Sequence, residues 1–214
     1  MAILLSDLRD AFETYKYDIS DVDSDAFVQW CDFVNRFAYE KIAKIDPETF
    51  LETDDYSIDA SPKTLAMPTD LWTISSPKLG FYYFDAASVL HDVKLYETGP
   101  GSELEGFYNS GTDFIFTGIT NKDYKLKYLP KAPHLTDLTD YLTSDGTVTG
   151  TPIFEDRHLD FLIKVLDVYY EQWDEDPGAE SLADFRFVRM LSDMLEKYRK
   201  TPHVLYTYDY STEY

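Results

Sequence analysis

Hydrophobic positions recur at helical spacing towards both ends of the chain and at a period of two in between. Residues 6–15 read as a first helix, with Ser6 as cap, Asp7 and Asp10 near the positive end of the dipole, and Leu8 and Phe12 four apart. From Ser24 to Lys44 a longer helix is predicted, because Phe27, Trp30, Cys31, Val34, Ala38 and Ile42 form one stripe. Phe33 and Phe37 widen that stripe, as in a helix that touches two neighbours. Asp46, Pro47 and Glu48 then cap and open a short helix to Leu51. Near the other end, Leu159, Leu162, Ile163, Leu166, Tyr169, Tyr170 and Trp173 give the strongest helical signal, over residues 156–173. Leu182, Phe185, Val188, Leu191, Leu195 and Tyr198 predict its partner over 180–200, and the short DEDPG link favours an antiparallel helical hairpin.

The middle of the chain alternates instead. In Phe114 to Pro133, Phe114 and Phe116 oppose Ile115, Gly118 and Asn121 offer turn chemistry, and Tyr124, Leu126 and Tyr128 alternate with Lys125 and Lys127. That pattern predicts a β-hairpin with one apolar and one cationic face on its second strand. YSIDA and LWTIS, broken by Pro62, Pro68 and Pro77, read as peripheral strands or extended loops, and the apolar run 80–89 and the alternating 91–96 precede the Thr98, Gly99, Pro100, Gly101 turn, for five or six short strands with the hairpin. Leu135 to Leu142 reads as a short helix. A lone hairpin is marginal in water, so its apolar face needs support from the helices. The expected fold is therefore α+β, a helical bundle from the N- and C-terminal helices packed with a central antiparallel β-hairpin or small sheet. It spans residues 1–200 as one domain, with helices about 6–51, strands about 56–133, the helical hairpin about 156–200 and an extension over 201–214.

Composition narrows the function. No run approaches the ~20 apolar residues of a membrane span, and Met1 to Leu5 lacks the character of a secretory signal, so the expectation is a soluble chain made in a cytoplasm. The one cysteine, Cys31, lies within a helical stripe and excludes an intrachain disulfide. A formal charge of −21 disfavours tight nucleic-acid binding, which needs cationic contacts that release counterions. Residues 1–60 hold 15 acidic and 5 basic side chains, so the acidity is concentrated there.

Asp21, Asp23 and Asp25 alternate as in a calcium loop, but Ala26 stands where such a loop needs glycine and Asp32 where it needs a bidentate glutamate. The segment reads as a linker and an acidic helix start. His91, His134, His158 and His203 show neither the i, i+4 spacing of a zinc helix nor a cysteine neighbour. No nucleophile motif and no glycine-rich phosphate loop is present. No cofactor, metal or catalytic residue is expected.

The order of parts is distinctive: N-terminal helices, TLAMPTDLWTI (Thr64 to Ile74), GFYNSGTDFIFTG (Gly106 to Gly118), YKLKYLPKAPHLT (Tyr124 to Thr136), then a helical pair. This resembles the head-to-tail adaptor, or connector, proteins of tailed bacteriophages, over about Leu4 to Tyr198. The resemblance implies a non-enzymatic virion protein at the head-tail junction. Its members form a ring, usually a dodecamer, that joins the portal protein to a tail or nozzle protein and lines the path of double-stranded DNA without binding it tightly. A second class of function stays open, a monomeric carbohydrate- or protein-binding module with exposed aromatic strands.

Two sets of residues carry these expectations. Acidic side chains at Asp21, Asp23, Glu175 and Asp176 are expected to face a channel or solvent. Residues 201–214 place Val204, Tyr206, Tyr208 and Tyr210 at strand period, and with Leu205 and Tyr214 they are expected to contact a partner, as an added strand or an arm in a groove. The resemblance favours the portal or an adjacent subunit as that partner.

Overall fold

The computed structural model describes residues 2–16, 19, 22–58, 63–74, 80–96, 105–118, 122–154 and 156–175, with isolated positions 189, 191, 192 and 195; the side chains of 58, 63, 122 and 172–175 are not described. The chain divides into two compact units, one formed by residues 1–46 together with 133–214, the other by 47–132.

Among the described residues three α-helices frame the first unit. Helix α1 (Leu5–Lys16) buries Leu5, Leu8 and Phe12, the i, i+3, i+7 spacing that aims three side chains one way. Helix α2 (Ser24–Ile45) begins at Asp23, whose carboxylate accepts the Ala26 N–H at 2.6 Å and so satisfies a first-turn donor. Helix α3 (Leu159–Glu175) follows a single 3₁₀ turn at Asp156–His158. Phe12 meets Tyr170 edge-on at 6.2 Å, and Tyr169 stacks on Trp30 at 6.3 Å, so α3 touches both other helices. Lys16 pairs with Asp167, which raises the Lys16 pKa against the opposing effect of burial.

Residues 135–142 are not the short helix expected. The Asp140 carboxylate accepts the N–H groups of Thr136 at 2.6 Å and Asp137 at 3.1 Å, while Asp137 accepts that of Thr139 at 2.6 Å. Such local side-chain bonds compete with the helical ladder, and Tyr141 bridges to Leu4 instead. Asp32, only 8% exposed, anchors this segment to α2. One of its oxygens accepts the Leu135 N–H at 2.9 Å, and the other meets Arg36 Nε at 3.0 Å and His134 Nδ1 at 3.4 Å.

The second unit corrects the expected fold class. There is no helical bundle packed with a hairpin: among the described residues nine strands in two sheets outweigh three α-helices, and the protein is a sheet-rich α+β molecule. The strands are β1 (Glu52–Ile58), β2 (Lys63–Ala66), β3 (Leu71–Thr73), β4 (Gly80–Phe84), β5 (Leu90–Asp92), β6 (Leu95–Tyr96), β7 (Gly106–Ser110), β8 (Asp113–Thr117) and β9 (Lys122–Pro130). One sheet runs β1-β9-β4-β5 with β3 also on β9, and the other runs β2-β8-β7-β6.

The predicted central hairpin does not form, because β8 and β9 belong to different sheets. Strand β8 pairs with β7 through the two-residue turn Gly111-Thr112, where Gly111 at φ 65° supplies the left-handed position such a turn requires. Strand β9 pairs with β1 in an antiparallel register from Glu52↔Tyr128 to Ile58↔Lys122, and with β4 from Gly80↔Lys127 to Tyr82↔Lys125. The alternation read from the sequence still acts. Tyr124, Leu126 and Tyr128 are buried, and the lysines between them face the other way.

The support for that apolar face is the second sheet. Phe81 of β4 lies 4.9 Å from Phe107, 5.1 Å from Phe114 and 4.7 Å from Phe116, each edge to face. With Ile74, Val93, Tyr124, Leu126 and Tyr128 these rings form one core between the sheets. Two aromatic-rich inner faces bury each other, as in a sandwich.

Candidate functional site

Among the described residues the sandwich exposes an apolar strip built by the hairpin of β4 and β5, apart from Leu95 of β6. Because Phe81 points into the core, Tyr82 and Phe84, one and three residues further on, both stand on the outer face, their rings 5.8 Å apart. Leu90 sits opposite Phe84 in the ladder and therefore shares that face. Phe84 is 52% exposed, Val89 51% and Leu90 49%, all large apolar side chains left in water at one end of a sheet.

The turn that joins the two strands is tightly held. Asp85 accepts the N–H groups of Ala87 and Val89, each at 2.9 Å, and pairs with His91 Nε2 at 3.0 Å. The His91 contact and then those amides hold the Asp85 carboxyl below the usual carboxylate range. His91 in turn stacks on Tyr83 at 5.0 Å. Ser88, at φ 61°, takes a left-handed conformation that this network enforces. The apolar strip is therefore presented on a fixed hairpin.

Strand β5 also leaves main-chain groups open. The Asp85 N–H donates to Val89 O and the Val93 N–H to Phe81 O, so residues 89, 91 and 93 turn their polar groups towards β4. Leu90 and Asp92 turn theirs outward, and β5 is the last strand of its sheet. An apolar strip beside open main-chain donors and acceptors is chemistry suited to strand addition.

The rest of the same outer face is polar. Lys125, opposite both Tyr82 and Asp55, reaches Asp55 Oδ1 at 2.6 Å, and its pKa is raised by that contact. Ser57 donates to Asp123 at 2.5 Å. These residues line a depression of 510 Å³ together with parts of Tyr56 and Tyr124. On the inner side, the Tyr128 hydroxyl donates to Glu52 at 3.1 Å and lies 3.5 Å from Asp70. Burial, then Asp70 and Asp55, push the Asp54 carboxyl up, while burial, Asp70 and Glu52 push the Tyr128 hydroxyl up.

The residues singled out from sequence do not converge. Asp23 is exposed and serves as the α2 cap. Glu175 closes α3, its side chain outside the described residues, where Asp21 and Asp176 also lie. Val204, Leu205, Tyr206, Tyr208, Tyr210 and Tyr214 are outside them too, as is most of the predicted 180–200 helix apart from helical positions at 189, 191, 192 and 195. Phe84, Val89 and Leu90 were missed by the sequence reading. Their signal was FYYF itself, an aromatic run with no polar alternate, which puts rings on both faces of a strand.

Among the described residues no helix is long and apolar enough to cross a membrane, and no cluster of three or more His, Cys, Asp or Glu is placed to hold a metal ion. No family model matches the sequence, and no curated protein is significantly similar to it.

Proposed function

We propose that this chain is a structural assembly protein of the head-to-tail adaptor kind, a ring component that joins a portal to a tail or nozzle protein around the path of double-stranded DNA. One observation supports the reading most: the β4–β5 hairpin presents a rigid apolar strip and an open strand edge, the equipment of a docking protein. The two-unit layout, with residues 47–132 inserted into a helical unit made by both ends of the chain, separates a helical body from a strand module for contacts. A charge of −21 suits a protein that DNA passes without adhering.

The test is the mass of the particle. Sedimentation at 50 mM and 500 mM salt should show a closed oligomer that salt promotes, since like charges oppose assembly and are screened over ~10 Å at 0.1 M. A monomer at every salt and protein concentration overturns the ring. The outer face of Tyr82, Phe84 and Leu90 beside the polar depression favours a second reading, a monomeric protein- or carbohydrate-recognition module. A monomer that retains saturable binding through this face is the result that would select it.

A further inference from the structure

We infer that β5 is the acceptor for residues 203–210 of another copy, which add to its five-stranded sheet as a further strand beyond β5. The choice of another copy rests on the ring reading; the choice of edge does not. Among the described residues five strands have a neighbour on one side only: β1, β3 and β5 in one sheet, β2 and β6 in the other. Strand β1 carries Glu52, Asp54 and Asp55, which repel a segment that itself bears Asp209. Strand β6 has two residues, with Leu95 41% exposed, and β2 and β3 bear none of the exposed large apolar side chains. Among the described edges β5 is the one that combines exposed Leu90 with its exposed neighbours Phe84 and Val89, and with outward main-chain groups at Leu90 and Asp92.

The incoming segment has the matching pattern. Val204, Tyr206, Tyr208 and Tyr210 fall on one face of an extended chain, and laid against β5 they continue the outer face of Tyr82, Phe84 and Leu90. The four outward groups of Leu90 and Asp92 supply affinity, and the aromatic alternation supplies register. Lys94, exposed next to this edge, offers Asp209 a cation.

The experiment uses the full chain with photoreactive benzoylphenylalanine in place of Phe84. Equal parts of unlabelled and ¹⁵N-labelled protein are mixed, irradiated and digested, and the partner peptide is sought by mass. A cross-link joining a labelled Phe84 site to an unlabelled peptide of residues 201–214 is expected. Leu90→Pro removes one outward N–H while sparing every bond to β4, so it should leave the melting curve unchanged and lower that cross-link about tenfold. Cross-links only within one copy, cross-links to other segments, or a yield indifferent to both Leu90→Pro and the triple change of Tyr206, Tyr208 and Tyr210 to serine would overturn the inference. A mixed-label cross-link in a dimer or open filament would keep it and remove the closed ring.

Discussion

Replacing Phe81 with alanine should cost the sandwich about 4 kcal/mol, the middle of the range for truncating a buried phenylalanine. The structure justifies the middle and not the low end. Phe81 is 1% exposed, and its ring meets those of Tyr56, Phe107, Phe114 and Phe116 at 5.4, 4.9, 5.1 and 4.7 Å. Edge-to-face pairs add ~0.5–1.5 kcal/mol each beyond area, not additively, since one ring serves all four. A unit of this size has a total stability of roughly 4–13 kcal/mol, so the loss is a large share of it. Phe81→Leu refills most of the volume but keeps no ring, and should cost about 1–2 kcal/mol. Native-state hydrogen exchange reads both, because the slowest amides of β9 exchange through global opening of the sheet. The alanine variant should exchange there about 10³-fold faster, at 1.4 kcal/mol per tenfold. Acceleration below tenfold would refute the placement of Phe81 at the centre of the core.

Three further outcomes follow from named contacts. Asp32→Ala leaves the Leu135 N–H without its acceptor and should lower the stability of the helical unit by about 2–3 kcal/mol in urea unfolding, whereas a surface change such as Asp10→Ala should not. Burial pushes the Cys31 thiol pKa far up, so it should resist iodoacetamide at pH 8 in the native protein and react only on unfolding; rapid labelling of the folded chain would contradict its position. Asp54 has its folded pKa raised by burial, Asp70 and Asp55, so its carboxylate opposes folding above that pKa and ceases to as pH falls through it; Asp54→Asn should raise the melting temperature at pH 7 and lose the advantage near pH 3.

Local elements were legible and long-range pairing was not. The α2 stripe predicted Ser24 to Lys44 and the helix runs Ser24–Ile45, because one apolar face at 3.6 residues per turn identifies itself without a partner. Strand β9 announced its two faces just as clearly. Its neighbour did not: Gly118 and Asn121 mimic hairpin chemistry, yet the alternation says only that a face is buried, never against what. The true partner, β1, reads ETDDYSI, and its run of acids hides a strand whose place is set by pairing with residues 122–128. Strand β1 is legible only in combination with the Lys125 that neutralises Asp55. The docking strip escaped for a related reason. Phe84 and Leu90 carry the residue types of a core, and only the end of the sheet, a property of topology, leaves them in water.

The edges of the two sheets show how this sandwich handles unpaired main chain. A free edge invites pairing with any other strand, and chains blunt that tendency with charge or shortness. Strand β1 has three acids, β6 has two residues and β2 has four. On β5 the usual protections are weak: its one acid, Asp92, stands opposite Tyr82, and the other acid of the hairpin, Asp85, is turned inward on the Ala87 and Val89 amides and on His91. An edge left unguarded beside exposed Phe84, Val89 and Leu90 would be an aggregation hazard in a chain of low charge. Here each copy carries −21, so chance encounters between copies are repulsive until one specific contact outweighs them. Net charge thus acts as the guard that the edge lacks locally. The same arrangement explains why raising salt should promote ordered association first through β5: screening weakens the general repulsion over all surfaces alike, but among the described edges this one joins three exposed apolar side chains, Phe84, Val89 and Leu90, to open donors.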